Sequence, residues 1–250
     1  MAPPIAKSAS RPTAVQYSSY PSAPQSHLVD RVLSFGFIVA AIAVAGQTVA
    51  HLTNAFFLDY EIRNMDADAD GNALSWAASV AIFAAALGAF LFSLFPSVPT
   101  RRFVALSAVF VFFSLDEVAA IHENLASVAV RGLDVPSSVG RAGWPILYVP
   151  LLVYVVFSLW RLAASAPNRI RSAILLALGL LAFAVVAESI ATLWWSEDSR
   201  PLLDDLEVAV EEGAELGGWI FVATAFAAIL FDCLARAGEL LLPRANGEGL

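Results

Sequence analysis

Acidic and imidazole side chains stand in this chain where apolar helices would otherwise meet lipid. The segment Phe113-Ser-Leu-Asp-Glu-Val-Ala-Ala-Ile-His-Glu-Asn124 brings Asp116, Glu117, His122 and Glu123 within about two helical turns. Glu188 lies in another apolar run, with Thr192 one turn on, and Gln47, His51 and Asn54 fall at i, i+4 and i+7 in a third. Asp204, Glu207, Glu211 and Glu215 form a stripe at spacings of three and four ahead of a fourth run, with Glu212 beside it. A charge inside a span costs about 2.5–3.5 kcal/mol on insertion scales, so such residues normally face a bundle interior and mark function. Carboxylates crowded at low dielectric repel one another unless they hold protons or bind a cation. Imidazole nitrogens among the oxygens suit Zn, Fe or Mn better than Ca or Mg. The expected site is therefore a divalent transition metal held by Asp116, Glu117, His122, Glu188 and Glu211. Glu123, Glu215 and His51 are alternates or supporting partners.

The elements that must position these groups follow from composition. The chain has 250 residues, 59% of them hydrophobic and 14% charged, against roughly 45–50% and 25% in soluble domains. That balance excludes an ordinary water-soluble domain. Six apolar runs, Val32 to Leu52, Ala73 to Phe95, Phe103 to Ile121, Trp144 to Trp160, Ala173 to Trp195 and Leu216 to Ala235, approach the roughly 20 helical residues that cross a hydrocarbon core about 30 Å thick. The expected fold is an all-α polytopic bundle of six transmembrane helices over residues 30–238, with tails at 1–29 and 239–250. The Pro-, Ser- and Ala-rich start lacks an apolar core and reads as a disordered tail, not a cleaved signal peptide. The single cysteine, Cys233, excludes a disulfide framework or zinc ribbon. No basic stripe speaks for nucleic acid.

Basic residues are held on the cytoplasmic side during insertion. Lys7, Arg11, Arg31, Arg101, Arg102, Arg161, Arg169, Arg171, Arg236 and Arg244 fall on one side, and Arg63, Arg131, Arg141 and Arg200 on the other. Both termini are thus expected inside, in a bacterial plasma (inner) membrane, with an acidic outer face. At 1.5 Å of rise per residue, Gln47 lies roughly 24 Å above Arg31, Asp116 roughly 21 Å above Arg102 and Glu188 roughly 26 Å above Arg171. Glu211 descends roughly 9 Å from Asp205 on the outer side. The polar groups of spans one, three, five and six therefore share one level in the outer leaflet. Spans two and four, almost without polar groups, read as scaffold outside that core. An alternative for the last acids is an amphipathic surface helix over Glu207 to Glu215, with the span beginning at Leu216.

Named motifs fall short. His122-Glu123-Asn-Leu-Ala126 lacks the second histidine of HExxH. His122 follows Glu117 by five residues, not the three of di-iron bundles. Asp66-Ala-Asp-Ala-Asp70-Gly71 opens like an EF-hand, but Ala77 stands where the bidentate Glu belongs. The only lysine is Lys7, which excludes a retinal Schiff base in a span. His51 and His122 are a poor haem pair amid carboxylates.

Ser114-Leu-Asp-Glu117, His122-Glu123, Glu211-Glu212-x-x-Glu215 and the Gly71-Asn72 pair followed by Trp76 together resemble a family of uncharacterised bacterial multipass membrane proteins. The likeness runs over most of residues 32 to 235 and implies an architecture without an activity. Ser114 and Asp116 also echo the ceramidase-like membrane hydrolases, but two histidines near the spans replace three, and six spans replace seven.

The function expected is a metal-dependent enzyme, hydrolase or oxidase, with its site in the outer leaflet. Its partners are membrane lipids and a lipid or apolar substrate, and no nucleic acid. A proton- or cation-coupled transporter or channel, or a non-catalytic subunit of a membrane complex, are the alternatives. The inner halves of the spans offer little beyond Ser34, Ser107, Ser158, Thr224 and Asp232, which favours a closed site over a pathway.

Overall fold

The computed structural model describes residues 24–69, 71–121, 124, 144–194 and 201–241. Among these residues the chain is all-helical. Helix α1 spans Pro24–Phe57, α2 Ala73–Ser93, α3 Thr100–Ala119, α4 Trp144–Ser165, α5 Asn168–Trp194 and α6 Pro201–Leu241, with a 3-10 turn at Arg63–Met65. Five of the six are long and apolar enough to cross a membrane: all but α3. Helix α3 has 20 residues, a spanning length, but it carries Arg101, Arg102, Asp116 and Glu117. Phe35, Ile42, Val49, Phe83, Val153 and Phe157 are among the large apolar side chains that face outward. Apolar helices of this length with an apolar exterior are the attributes of a multi-pass membrane protein.

Local sequence sets the helix ends. The Asn72 side chain accepts from the Leu74 and Ser75 amides at 2.7 and 2.8 Å and caps α2. Helix α3 stops where Ala120 turns left-handed, φ 47°, a conformation that crowds Cβ against the following carbonyl. Pro201 opens α6 at a position where its missing N–H costs nothing.

Helices alternate up and down, and α6 runs through the middle, packed on α1, α2 and α5; α3 leans on α2, and α4 on α5 and α3. Close approach comes from small residues. Gly36 of α1 lies directly on Thr224, and a Cβ at Gly88 of α2 would meet the Phe226 Cβ at 2.6 Å. The expectation that span two stands outside the core is corrected here. The α2 face made by Ala78, Ala81, Ile82, Ala85, Ala86 and Ala89 is buried, because alanines let both α3 and α6 come against it. Phe92, Phe103, Phe110 and Phe226 fill the centre, with Phe110 edge-on to Trp219 at 5.4 Å.

The two ends of the bundle differ in charge. At one end Arg102 donates to the Ser158 carbonyl at 2.7 Å, Arg171 to the Ala163 carbonyl at 3.0 Å, and Arg169 pairs with Asp30. The last turn of α1, the last turns of α3 and α5 and the first turns of α2, α4 and α6 meet at the other end, which holds the acids.

Candidate functional site at the acidic end of the bundle

The polar stripe of α1 points inward: Gln47, His51 and Asn54 are 3%, 1% and 0% exposed. The chain leaving α1 folds back over it. Asp59 and Tyr60 are both left-handed, at φ 47° and 60°, and this reversal lets Asn54 Oδ1 accept the Ile62 amide at 3.0 Å. His51 Nδ1 accepts the Ala67 amide at 3.0 Å. Its Nε2 is buried without a hydrogen-bond partner, 4.0 Å from Asp205 Oδ1 on α6, and Asp66 Oδ1 is 3.5 Å from Nδ1. The Tyr60 hydroxyl donates to that same Asp205 oxygen. Burial first, and then Asp205, push the Tyr60 hydroxyl above its ordinary value.

The Asp66 segment, which opens like a calcium loop, is occupied with local turns. Asp66 Oδ1 accepts the Asp68 amide at 3.2 Å, and the Asn72 amide group donates to the Asp66 and Ala69 carbonyls. These bonds tie the segment to the start of α2.

The remaining acids gather further along α6, toward α5 and α3. Glu211 faces Glu188 of α5 and Glu207 and Glu215 of its own helix, and its carboxyl interacts directly with that of Glu207. Glu212 faces Glu117 of α3, Glu211, Glu215 and Asp68. Glu215 accepts from the Trp219 indole at 3.1 Å, and all of these glutamates are half-buried. Asp116, 7% exposed, faces the Tyr148 hydroxyl of α4. Tyr148 is stacked on Phe113, ring centroids 6.1 Å apart.

Of the residues expected from the sequence, Glu117, Glu188, Glu211 and Glu215 come together. Asp116 is turned toward Tyr148, His51 belongs to the Asp66–Asp205 side, and His122 and Glu123 lie outside the described residues. Among the described residues, no three His, Cys, Asp or Glu side chains form a group that could hold a metal ion. Tyr60, Tyr148 and Asp205 were not among the expected site residues. The alternation of acids through Glu207 to Glu215 continues within one unbroken helix, not a surface helix followed by a span.

A family model described as a domain of unknown function (DUF8692) matches residues 36–229. The chain belongs to this family. The matched stretch begins within α1 and ends within α6, so the DUF8692 domain includes all six helices and both parts of the acidic end. No curated protein and no solved structure matches the chain.

Chemically, the DUF8692 site has two compartments joined through α6. One is a histidine between two aspartates, its tautomer set by a backbone amide: with Nδ1 accepting, the ring proton sits on Nε2. A histidine in that state offers no free lone pair to a metal, whose imidazole ligands normally donate through the other nitrogen. The other compartment is a set of carboxyls from three helices facing one another.

Proposed function

We propose that this DUF8692 protein is a six-span bacterial inner-membrane protein with both termini in the cytoplasm, and that its carboxyl cluster binds protons in the outer half of the bilayer. On this reading the protein is proton-linked, and its acids load and release protons. The observation that supports it best is the direct approach of the Glu207 and Glu211 carboxyls, one turn apart and in front of Glu188. Two carboxyls attract only when they share a proton. The positive ends of Arg102, Arg161, Arg169 and Arg171 at the opposite end of the bundle support the orientation. The length of α3, with Arg102 and Asp116 turned to α4 and Glu117 to α6, supports a sixth span.

A second reading is favoured by one observation: Glu188 of α5 acts on Glu211, and Glu117 of α3 on the adjacent Glu212 of α6, so carboxyls from three helices interact. Supplemented by Asp116, His122 and Glu123, these donors would hold Zn, Fe or Mn. The metal would then activate water or polarise a carbonyl or phosphoryl oxygen of a lipid or apolar substrate. His51 is left out of that set.

Elemental analysis of detergent-purified protein after metal-replete expression, combined with Glu188→Gln and Glu211→Gln, separates the two. Proton binding predicts no stoichiometric transition metal and variants at least as stable as the parent, because Gln mimics the neutral acid. Stoichiometric metal that is lost in the variants, with a lower Tm, would replace the proton reading by the metal one.

A further inference from the structure

His51 is the most enclosed titratable side chain among the described residues, 1% exposed, and the carboxyl cluster does not use it. Its two nitrogens see different partners. Nδ1 is 3.0 Å from the Ala67 amide and 3.5 Å from Asp66 Oδ1; Nε2, unpartnered, is 4.0 Å from Asp205 Oδ1. The neutral ring satisfies Ala67 and leaves its own N–H without an acceptor, a costly state for a buried donor. A second proton, taken from solvent onto the Nδ1 lone pair, changes both sides at once. Two N–H groups, those of Ala67 and the ring, would then face each other at 3.0 Å, so the Ala67 bond must break. The ring N–H would turn to Asp66 Oδ1, and Nε2–H would close on Asp205.

We propose that His51 is a proton-operated latch: neutral, it holds the residue 58–69 segment through the Ala67 amide; protonated, it bridges Asp66 and Asp205 and releases that amide. Among the described residues, the groups facing the ring are few. From the 58–69 segment come Asp66 with Asp68 behind it, and Tyr60, whose hydroxyl already holds Asp205. Arg63 of that segment is exposed. Helix α6 supplies Asp205, α2 supplies only the uncharged Asn72 behind Asp66, and α1 itself supplies Gln47 and Asn54. Two carboxylates, Asp66 and Asp205, stand where an imidazolium would donate. Because Asp205 begins the helix that carries Glu207 and Glu211, the latch couples proton uptake to the cover over the acidic end. It stands whether the cluster binds protons or a metal.

The test uses the full-length protein in lipid nanodiscs, with 15N-histidine NMR to read the ring and hydrogen exchange of the 62–69 peptide to read the Ala67 amide. As pH is lowered, the Nε2–H tautomer should give way to imidazolium. Protection of Ala67, corrected for intrinsic exchange, should fall as the ring takes up its second proton and level off when the ring is fully protonated. The step should vanish in His51→Gln and shrink in Asp66→Asn, which also serves if the His51 variant does not fold. A ring that stays neutral to pH 5, Ala67 protection independent of pH, or a step that survives in His51→Gln would each overturn the latch.

Discussion

Ser79 of α2 and Ser114 of α3 exchange hydrogen bonds across the helix interface. Each hydroxyl donates to the other residue's carbonyl, at 2.7 and 3.0 Å, and the two oxygens are 2.9 Å apart. Helix α3 is thereby fixed to the alanine-rich face of α2 two residues before Asp116. Interhelical bonds of this kind average about 0.6 kcal/mol in membranes. Ser79→Ala and Ser114→Ala are each expected to lower stability by about that amount, and the double variant by less than their sum. Equilibrium unfolding in bicelles, run as a double-mutant cycle, checks the coupling; strict additivity would show that the pair does not act as a unit.

Gly88→Ala should destabilise the bundle by about 1–3 kcal/mol, as overpacking of a tight contact does. The new methyl would meet the Phe226 Cβ, which cannot swing away because it is fixed to the α6 backbone. Gly46→Ala is the matched control: nothing lies within 4 Å of the added carbon, so it should be neutral or stabilising. Thermal unfolding of both variants gives the comparison, and an equal Tm for the two would remove Gly88 as the α2–α6 contact point.

The Tyr60 hydroxyl makes a pH prediction with a definite sign. Its proton is held more tightly in the folded protein than in the unfolded chain, where tyrosine titrates near pH 10. The associated stability is therefore complete below about pH 10 and is lost as pH rises from there toward the raised folded value. The stability difference between the parent protein and Tyr60→Phe should be constant from pH 7 to about pH 9.5 and shrink above it. A difference that grows with alkalinity would contradict the Tyr60–Asp205 bond.

Orientation is checked by two exposed positions at opposite ends, in a Cys233→Ala background. With an impermeant maleimide, Asn64→Cys should label from outside intact cells, and Ser172→Cys only after the membrane is opened. The reverse pattern would invert the topology and put the acidic end in the cytoplasm.

Much of the bundle was legible because its signals are local. Asn72 ahead of an apolar run marks the start of α2, and the i, i+4, i+7 spacing of Gln47, His51 and Asn54 marks the inward face of α1. What was not legible depends on azimuth and on partners distant in sequence. Asp116 and Glu117 are neighbours that point toward different helices, α4 and α6. The hold of Ala67 on His51 passes through a backbone amide, which leaves no trace in residue type. Span two looked like scaffold because alanine reads as featureless, when its smallness is what brings α6 to the centre.

Helix α6 has 41 residues, about 62 Å of rise, roughly twice the thickness of the hydrocarbon core. Its tightest contacts, Gly36 on Thr224 and Gly88 on Phe226, fall within one turn of each other well inside its length. Such a rod pivots more readily than it bends. With its fulcrum at 224–226, a tilt that moves Asp205 and Glu207 to one side carries Asp232 and Arg236 to the other. The acidic end is the longer arm of this lever and the arginine-bearing end the shorter, so events among the carboxyls would arrive at the opposite end of the bundle reduced in amplitude and reversed in direction.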